Sequence, residues 1–310
     1  LAVRASFRAA RKAAETMNDA LATAPVPLSI DRHGMRRWRR FSDYGFVRGK
    51  RNVPVVLAEA DLVAAAMPLV FAAEAHGGVP SPVALLRISA ETTPFVDTEG
   101  RWLAPYVPAI VRVHPFSARP AQDSDARMIL LVDEADGFVT DNAHDARFFD
   151  PFGALDTSLE PVVTFFQQYE VSSRATRVAC AALANEGLFH PLDPQDPGLS
   201  GLLGIDRARL SALDDAAYLR LRAAGALELA HAHFIGRTQL AFLRRAEAAL
   251  AAGATPGMSV GLAGNTGART SSDVSDFLAA LSASQDDDAQ ADIAPAHRVD
   301  AERGQGRGQE

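Results

Sequence analysis

Cysteine occurs once in this sequence, at Cys180, so no internal disulfide can form and no cysteine cage for zinc can be assembled. Lysine occurs only at Lys12 and Lys50, the other basic side chains being arginine. No apolar run approaches the roughly 18 to 20 residues that a membrane-spanning helix needs. A basic excess is missing too. Against 38 Asp and Glu stand 31 Lys and Arg, a net charge of −7, so the chain as a whole lacks the positive field of a general nucleic-acid binder. His231 and His233 are two apart and project about 200° from each other on a helix, which rules out a shared metal. The runs Gly198-x-x-Gly201-x-x-Gly204 and Gly261-x-x-Gly264-x-x-Gly267 lack the Lys-Ser/Thr ending of a phosphate loop, and no Gly-x-Ser-x-Gly nucleophile elbow occurs. No metal and no cofactor is expected. What remains is the composition of a soluble globular chain, 310 residues with 48% hydrophobic and 22% charged, ample for a sizeable core.

Periodicity divides the chain into four parts. Residues 1–28 form an extension with a helical stripe of Val3, Phe7, Ala10, Ala14, Met17 and Leu21; because Leu1 is not methionine, the native start is expected at or near Met17. Residues 29–252 form an α+β domain. Its first half, 29–153, holds short apolar runs (Val53–Leu57, Pro68–Ala72, Val83–Ile88, Met128–Val132, Phe148–Phe149) separated by Pro, Gly and Asp breaks, and reads as a small, mostly antiparallel sheet. Asp97–Gly100 and Asp150–Gly153 have turn chemistry. Its second half, 154–252, is helical: one helix is marked by Leu159, Val162, Phe166 and Tyr169 and another by Val178, Ala181 and Ala182. A Pro- and Gly-rich loop covers 191–204, and a helical stretch from Ile205 is interrupted at Gly225. Residues 253–310 read as a disordered tail. Within it Ser271–Leu281 is a candidate docking helix with Val274, Phe277, Leu278 and Leu281 on one face.

Two stretches carry candidate chemistry. Residues 31–51 hold eight basic side chains against Asp31 and Asp43, a local balance of +6, interleaved with Trp38, Phe41, Tyr44 and Phe46. Such a mixture can grip phosphates and stack on bases; the plainer reading, an arm whose aromatics pack while its arginines stay wet, is favoured because the protein is acidic overall. The second stretch, Gly100 to Phe116, sets three prolines around Arg112 in apolar surroundings. Pro108 suits the start of a short helix and Pro115 its end. Arg112 needs an acceptor if buried: either an internal carboxylate such as Glu59 or Asp133, or the carboxylate or phosphate of a ligand. Trp102, Tyr106, Arg112 and His114 are therefore the candidate ligand-binding residues. Cys180, on an apolar helix face, reads as structural.

At this point the chain resembles the SapC family of bacterial proteins, named after a gene in a surface-layer locus. The resemblance rests on Asn52-Val53-Pro54 with Glu59, Pro68-Leu69-Val70-Phe71, Gly100-Arg101-Trp102, Tyr106-Val107-Pro108-Ala109 and Arg112. It continues through Pro115-Phe116, Asp133, Phe149-Asp150 with Gly153, Gly225-Ala226-Leu227 and His231-Ala232-His233, covering about residues 30 to 250. Where the family commonly has Arg-Arg-Tyr-Pro-Phe, Val113 and His114 replace the second Arg and the Tyr, so no role tied to a double arginine carries over. The resemblance implies a link to surface-layer biogenesis or secretion and brings no catalytic residues; the peptide-transport permease of the same name is a different, membrane-spanning protein. The reading that follows is a cytoplasmic, non-enzymatic binding or accessory protein with an unidentified protein partner or small-molecule ligand. The alternatives are an enzyme using Arg112 as anion anchor and His114 for proton transfer, and nucleic-acid binding through residues 32–51. Whether Arg112 and His114 line one cleft discriminates the first of these.

Overall fold

The computed structural model describes residues 25–74, 77–121 and 124–253. The helical stripe before residue 22, the start expected at Met17, and the tail with its candidate helix at 271–281 lie outside the described residues.

The α+β class and the sheet-first, helix-second order are present, but the early strands build three antiparallel sheets instead of one small one. Chain order runs β1 (Val26–Pro27), α1 (Ile30–His33), β2 (Arg37–Trp38), β3 (Asn52–Pro54), α2 (Ala60–Ala66), β4 (Leu69–Ala72) and β5 (Ser81–Leu85). A 3-10 turn, Ala109–Val113, precedes β6 (Phe116–Ala121), β7 (Ser124–Val132), β8 (Val139–Thr140) and β9 (Ala146–Arg147). The second half holds α3 (Glu160–Asn185), β10 (Phe189–Pro191), β11 (Leu202–Ile205), α4 (Arg207–Ser211), α5 (Asp215–Ala223), α6 (Ala226–Gly236) and α7 (Gln239–Ala251). The sheets are ordered β10-β11-β4-β5-β3, β1-β7-β6 and β8-β2-β9.

Three expectations are corrected. The stretch 191–204 is not a loop throughout: β10 and β11 pair with each other and β11 pairs with β4, Leu203 opposite Phe71. Pro191 hid β10, yet proline is tolerated there because β10 is an edge strand. Gly204 in β11 lies where a Cβ would stand 3.3 Å from His233 Nε2, a close approach that sequence periodicity does not reveal. Phe148–Phe149 is not a strand; Phe149 makes an isolated bridge to Leu155. The two helices expected after Thr157 are one helix of 26 residues, α3. Its middle looks polar because Ser172 and Thr176 face inward: Thr176 Oγ accepts the Leu57 amide at 2.8 Å and Ser172 Oγ the Ala58 amide at 3.4 Å. These two hydroxyls satisfy amides at the turn leading into α2, which have no partner of their own.

The apolar residues gather in two cores. The larger packs the five-stranded sheet, with Leu69, Phe71 and Leu85 fully buried, against α2, α6 and the C-terminal half of α3 through Ala179, Cys180 and Leu183. The smaller joins Trp38, Val113, Phe116 and Phe148 to Val162 and Phe165 in the first turns of α3. Thus α3 spans both. Helix α6 presses onto β4 at Gly236, where a Cβ would stand 2.8 Å from both the Leu69 amide nitrogen and its Cβ. His233, one turn earlier and fully buried, joins the same elements. Its Nδ1 donates to the Leu69 carbonyl at 2.8 Å and its Nε2 accepts the Ile205 amide at 3.2 Å. His231 faces solvent.

Candidate functional site

The segment around Arg112 is held from behind by a buried acid. Glu59, at the entry to α2, accepts the Tyr106 hydroxyl and the Ala109 amide on Oε2, both at 2.8 Å, and the Val56 amide on Oε1 at 3.4 Å. The Ala109 amide opens the 3-10 turn and has no partner within it, so the carboxylate serves as its acceptor. Burial pushes the Glu59 carboxyl upward; the Ala109 amide, the Tyr106 hydroxyl, the Val56 amide and the Arg112 charge oppose that rise. Trp102 Nε1 donates to the Tyr106 carbonyl at 2.8 Å and so fixes the backbone that carries the phenol.

Arg112 lies on the other side of Tyr106. Its guanidinium carbon is 4.9 Å from the phenol centroid and its Nε donates to the Val107 carbonyl at 2.9 Å. Neither Glu59 nor Asp133 forms an ion pair with it: Glu59 spends its oxygens on Tyr106, Ala109 and Val56, and the Asp133 Oδ1 accepts the Ala135 amide.

Arg112 and His114 open into one cleft with Arg40. Its walls are Trp38 from β2, Phe41 just after it, Val113, Phe116 at the start of β6, and Pro161 and Val162 in the first turn of α3. The cleft is small and open to solvent, and no carboxylate lines it among the described residues. The first turn of α3 brings the positive end of its helix dipole to the same side, offset by Glu160 in that turn. Trp102 and Tyr106 do not line the cleft; they sit behind it as supports for Arg112.

His114 is pinned among aromatic rings. It stacks on Phe46 with centroids 3.9 Å apart and an interplanar angle of 9°, and meets Phe138 edge-on at 5.1 Å. Its Nε2 lies 3.2 Å from Asp136 Oδ2, but the geometry fails for a hydrogen bond, and this buried nitrogen has no hydrogen-bond partner among the described residues. Burial, with a smaller push from Lys50, lowers the imidazole to about 4, so it is neutral at physiological pH.

In the basic arm the aromatics pack as the plainer reading expects, Trp38 and Tyr44 buried and Phe41 and Phe46 half-buried. Four of its arginines are engaged within the fold instead of staying wet. Arg32 pairs with Glu134, Arg36 with Asp141 at 2.7 Å, Arg48 donates to the Asp97 carbonyl, and Arg51 to the Gly198 carbonyl at 2.6 Å. Cys180 is buried, its thiol pushed up to about 12 by burial. No group of three or more His, Cys, Asp or Glu converges as a metal site among the described residues, and none of their helices is long and apolar enough to cross a membrane.

Arg40 and Trp38 belong to the basic arm read from the sequence as able to grip phosphates, but not to the ligand-binding set at Arg112. Nothing local to Phe116, Pro161 or Val162 signalled that they line the same cleft. The sequence pattern of the SapC family matches residues 28–243. The chain belongs to the SapC family. No curated protein and no solved structure matches it. In this SapC-family chain the matched range takes in every residue of the cleft and the Glu59 support behind it, and ends within α7.

Proposed function

We infer that this SapC-family protein is a non-enzymatic binding protein whose site is the cleft at Arg112, receiving an anionic group. The observation that carries the reading is the convergence of Arg112 and Arg40 on a cleft with no carboxylate. A guanidinium with its Nη end unanswered is a ready partner for an anion. An enzymatic reading also needs Arg112 and His114 in one cleft. Against it, His114 is neutral and clamped by Phe46 and Phe138, whereas a general acid or base must exchange its proton near the working pH. Nucleic-acid binding is disfavoured because Arg32, Arg36, Arg48 and Arg51 already make contacts within the fold. The family's name ties it to a surface-layer locus, and the proposed role is accessory to a surface-associated or secretion-related pathway. The single buried thiol suits a reducing compartment, and the reading places the protein in the cytoplasm.

Thermal unfolding tests the site. Sodium phosphate, acetate and phenylacetate each replace sodium chloride at fixed ionic strength, with wild type and Arg112→Gln compared. A ligand at about ten times its Kd stabilises by about 1.4 kcal/mol, a rise of several degrees for a domain of this size. At least one salt should raise the wild-type midpoint saturably and leave Arg112→Gln unmoved. Equal responses of the two proteins to all three salts would overturn the reading.

A further inference from the structure

We propose that the outer face of the β1-β7-β6 sheet is a docking surface for residues 3–21 of this chain, which lie outside the described residues. The central strand, β7, carries Met128, Ile129, Leu130 and Leu131 in succession before Val132. Successive side chains of a strand point to opposite faces. Leu130 and Val132 pack into the smaller core with Ala118 and Phe116, their partners on β6, and with Val26 of β1. Ile129 and Leu131 therefore face the other way. They belong to neither core, yet both are half-buried. Across from Leu131, the Ser117 hydroxyl is shut off from water and has no hydrogen-bond partner among the described residues. An apolar sheet face is stable when a second layer covers it.

Three observations name the occupant. The stripe of Val3, Phe7, Ala10, Ala14, Met17 and Leu21 joins this sheet directly, with Ala22 to Pro25 between it and β1. Because the smaller core fills the inner face, a helix tethered that closely has the outer face to lie on. The lengths also agree, since a helix over residues 3–21 runs about 28 Å and the nine residues of β7 about 30 Å.

Charge fits the same placement. Val26 pairs with Val132, so the segment ends beside Val132 and runs back along β7. Glu15, off the stripe, then falls about 10 Å from that end, level with Arg119, which is exposed opposite Ile129. A start at Met17 would remove all but the last turn of the stripe, so that expectation and this inference exclude each other.

Thiol labelling of the full chain decides between them. Cys180 is buried, so Ile129→Cys supplies the reactive thiol. Adding Phe7→Asp or Ala14→Asp, which sets a charge in the stripe, should speed its labelling at least about tenfold, and Lys12→Asp, off the stripe, should leave it slow. Equal rates in the parent and both stripe variants would overturn the proposal. So would protection that grows with protein concentration, which names a second copy, or that vanishes in a chain ending at Gly253, which names the tail. Where Ile129→Cys does not fold, the thermal midpoint of the chain without it reads the same contact. Ala14→Asp should lower that midpoint by several degrees and Lys12→Asp leave it unmoved; equal midpoints would overturn the proposal.

Discussion

The Tyr106 hydroxyl donates to the Glu59 carboxylate at 2.8 Å, and Glu59 is 1% exposed. The phenol thereby serves two charges, satisfying the acid at its hydroxyl and offering its ring face to the Arg112 guanidinium. Tyr106→Phe would keep the ring and strip the hydroxyl. A buried acceptor losing one donor costs about 1–3 kcal/mol, and urea denaturation should report a loss in that range. Wild-type stability would show that the bond contributes nothing.

Glu59→Gln is expected to behave oppositely at neutral pH. Because burial raises the folded-state carboxyl, the folded protein takes a proton before the unfolded chain does, and ionised Glu59 weakens folding as pH rises above its usual value of 4.5. The glutamine carbonyl can still accept from Tyr106 and Ala109, while its NH2 group cannot replace the long 3.4 Å contact from the Val56 amide. Stability at pH 7 should be unchanged or higher than wild type, and a fall of more than about 2 kcal/mol would contradict this account.

His233 gives a pH dependence of the other sign. Burial lowers its imidazole from 6.5 to about 4, against the raising effect of the Leu69 carbonyl. Between these values the unfolded chain binds a proton that the folded protein refuses, so the stability is complete above pH 6.5 and is lost as pH falls toward 4. A shift of this size corresponds to roughly 3 kcal/mol. His114 adds a similar loss over the same interval. Denaturation midpoints measured from pH 7 to 4 should fall steeply, and His233→Gln should flatten the slope; an unaltered slope would count against the assignment.

Gly236→Ala should destabilise although alanine is the better helix former by about 1 kcal/mol. The new methyl would stand 2.8 Å from the Leu69 backbone nitrogen, which cannot move without disturbing β4. Overpacking of this kind costs about 1–3 kcal/mol, and a lower midpoint in thermal unfolding is the expected result.

A chain ending at Gly253 should melt close to the full-length protein. Helix α7 is terminated within the domain: the Gly253 amide donates to the Leu250 carbonyl at 3.0 Å and Gly253 has φ 73°, a helix stop that needs nothing beyond it. A drop of more than about 5 °C would show that residues 254–310 pack on the core.

Much of this arrangement was legible because local chemistry and burial agreed. Pro68 to Ala72 reads as a strand and β4 is one; Asp150 and Gly153 read as a turn, and Gly153 takes φ 86° with the Asp150 side chain accepting the Phe152 and Ala154 amides. Arg112 and His114 were singled out together, and both line the cleft. What stayed hidden depends on contacts distant in sequence. Nothing near Ser172 or Thr176 signals that their hydroxyls are spoken for by Leu57 and Ala58, so the polar run looked like a break. The partners of Arg112 in the cleft come from residues 38–41, 113–116 and 161–162, three segments that only the tertiary fold brings together.

Helix α3 acts as a rigid rod fixed at two stations. Its first turn walls the cleft through Pro161 and Val162, and its middle clasps the Leu57 and Ala58 amides next to Glu59. At 1.5 Å per residue these stations are about 20 Å apart, and the rod between them does not stretch. An axial slide that widened the cleft would drag Ser172 and Thr176 off their amides, so the gap at Arg112 is gauged by hydroxyls that never touch what enters it.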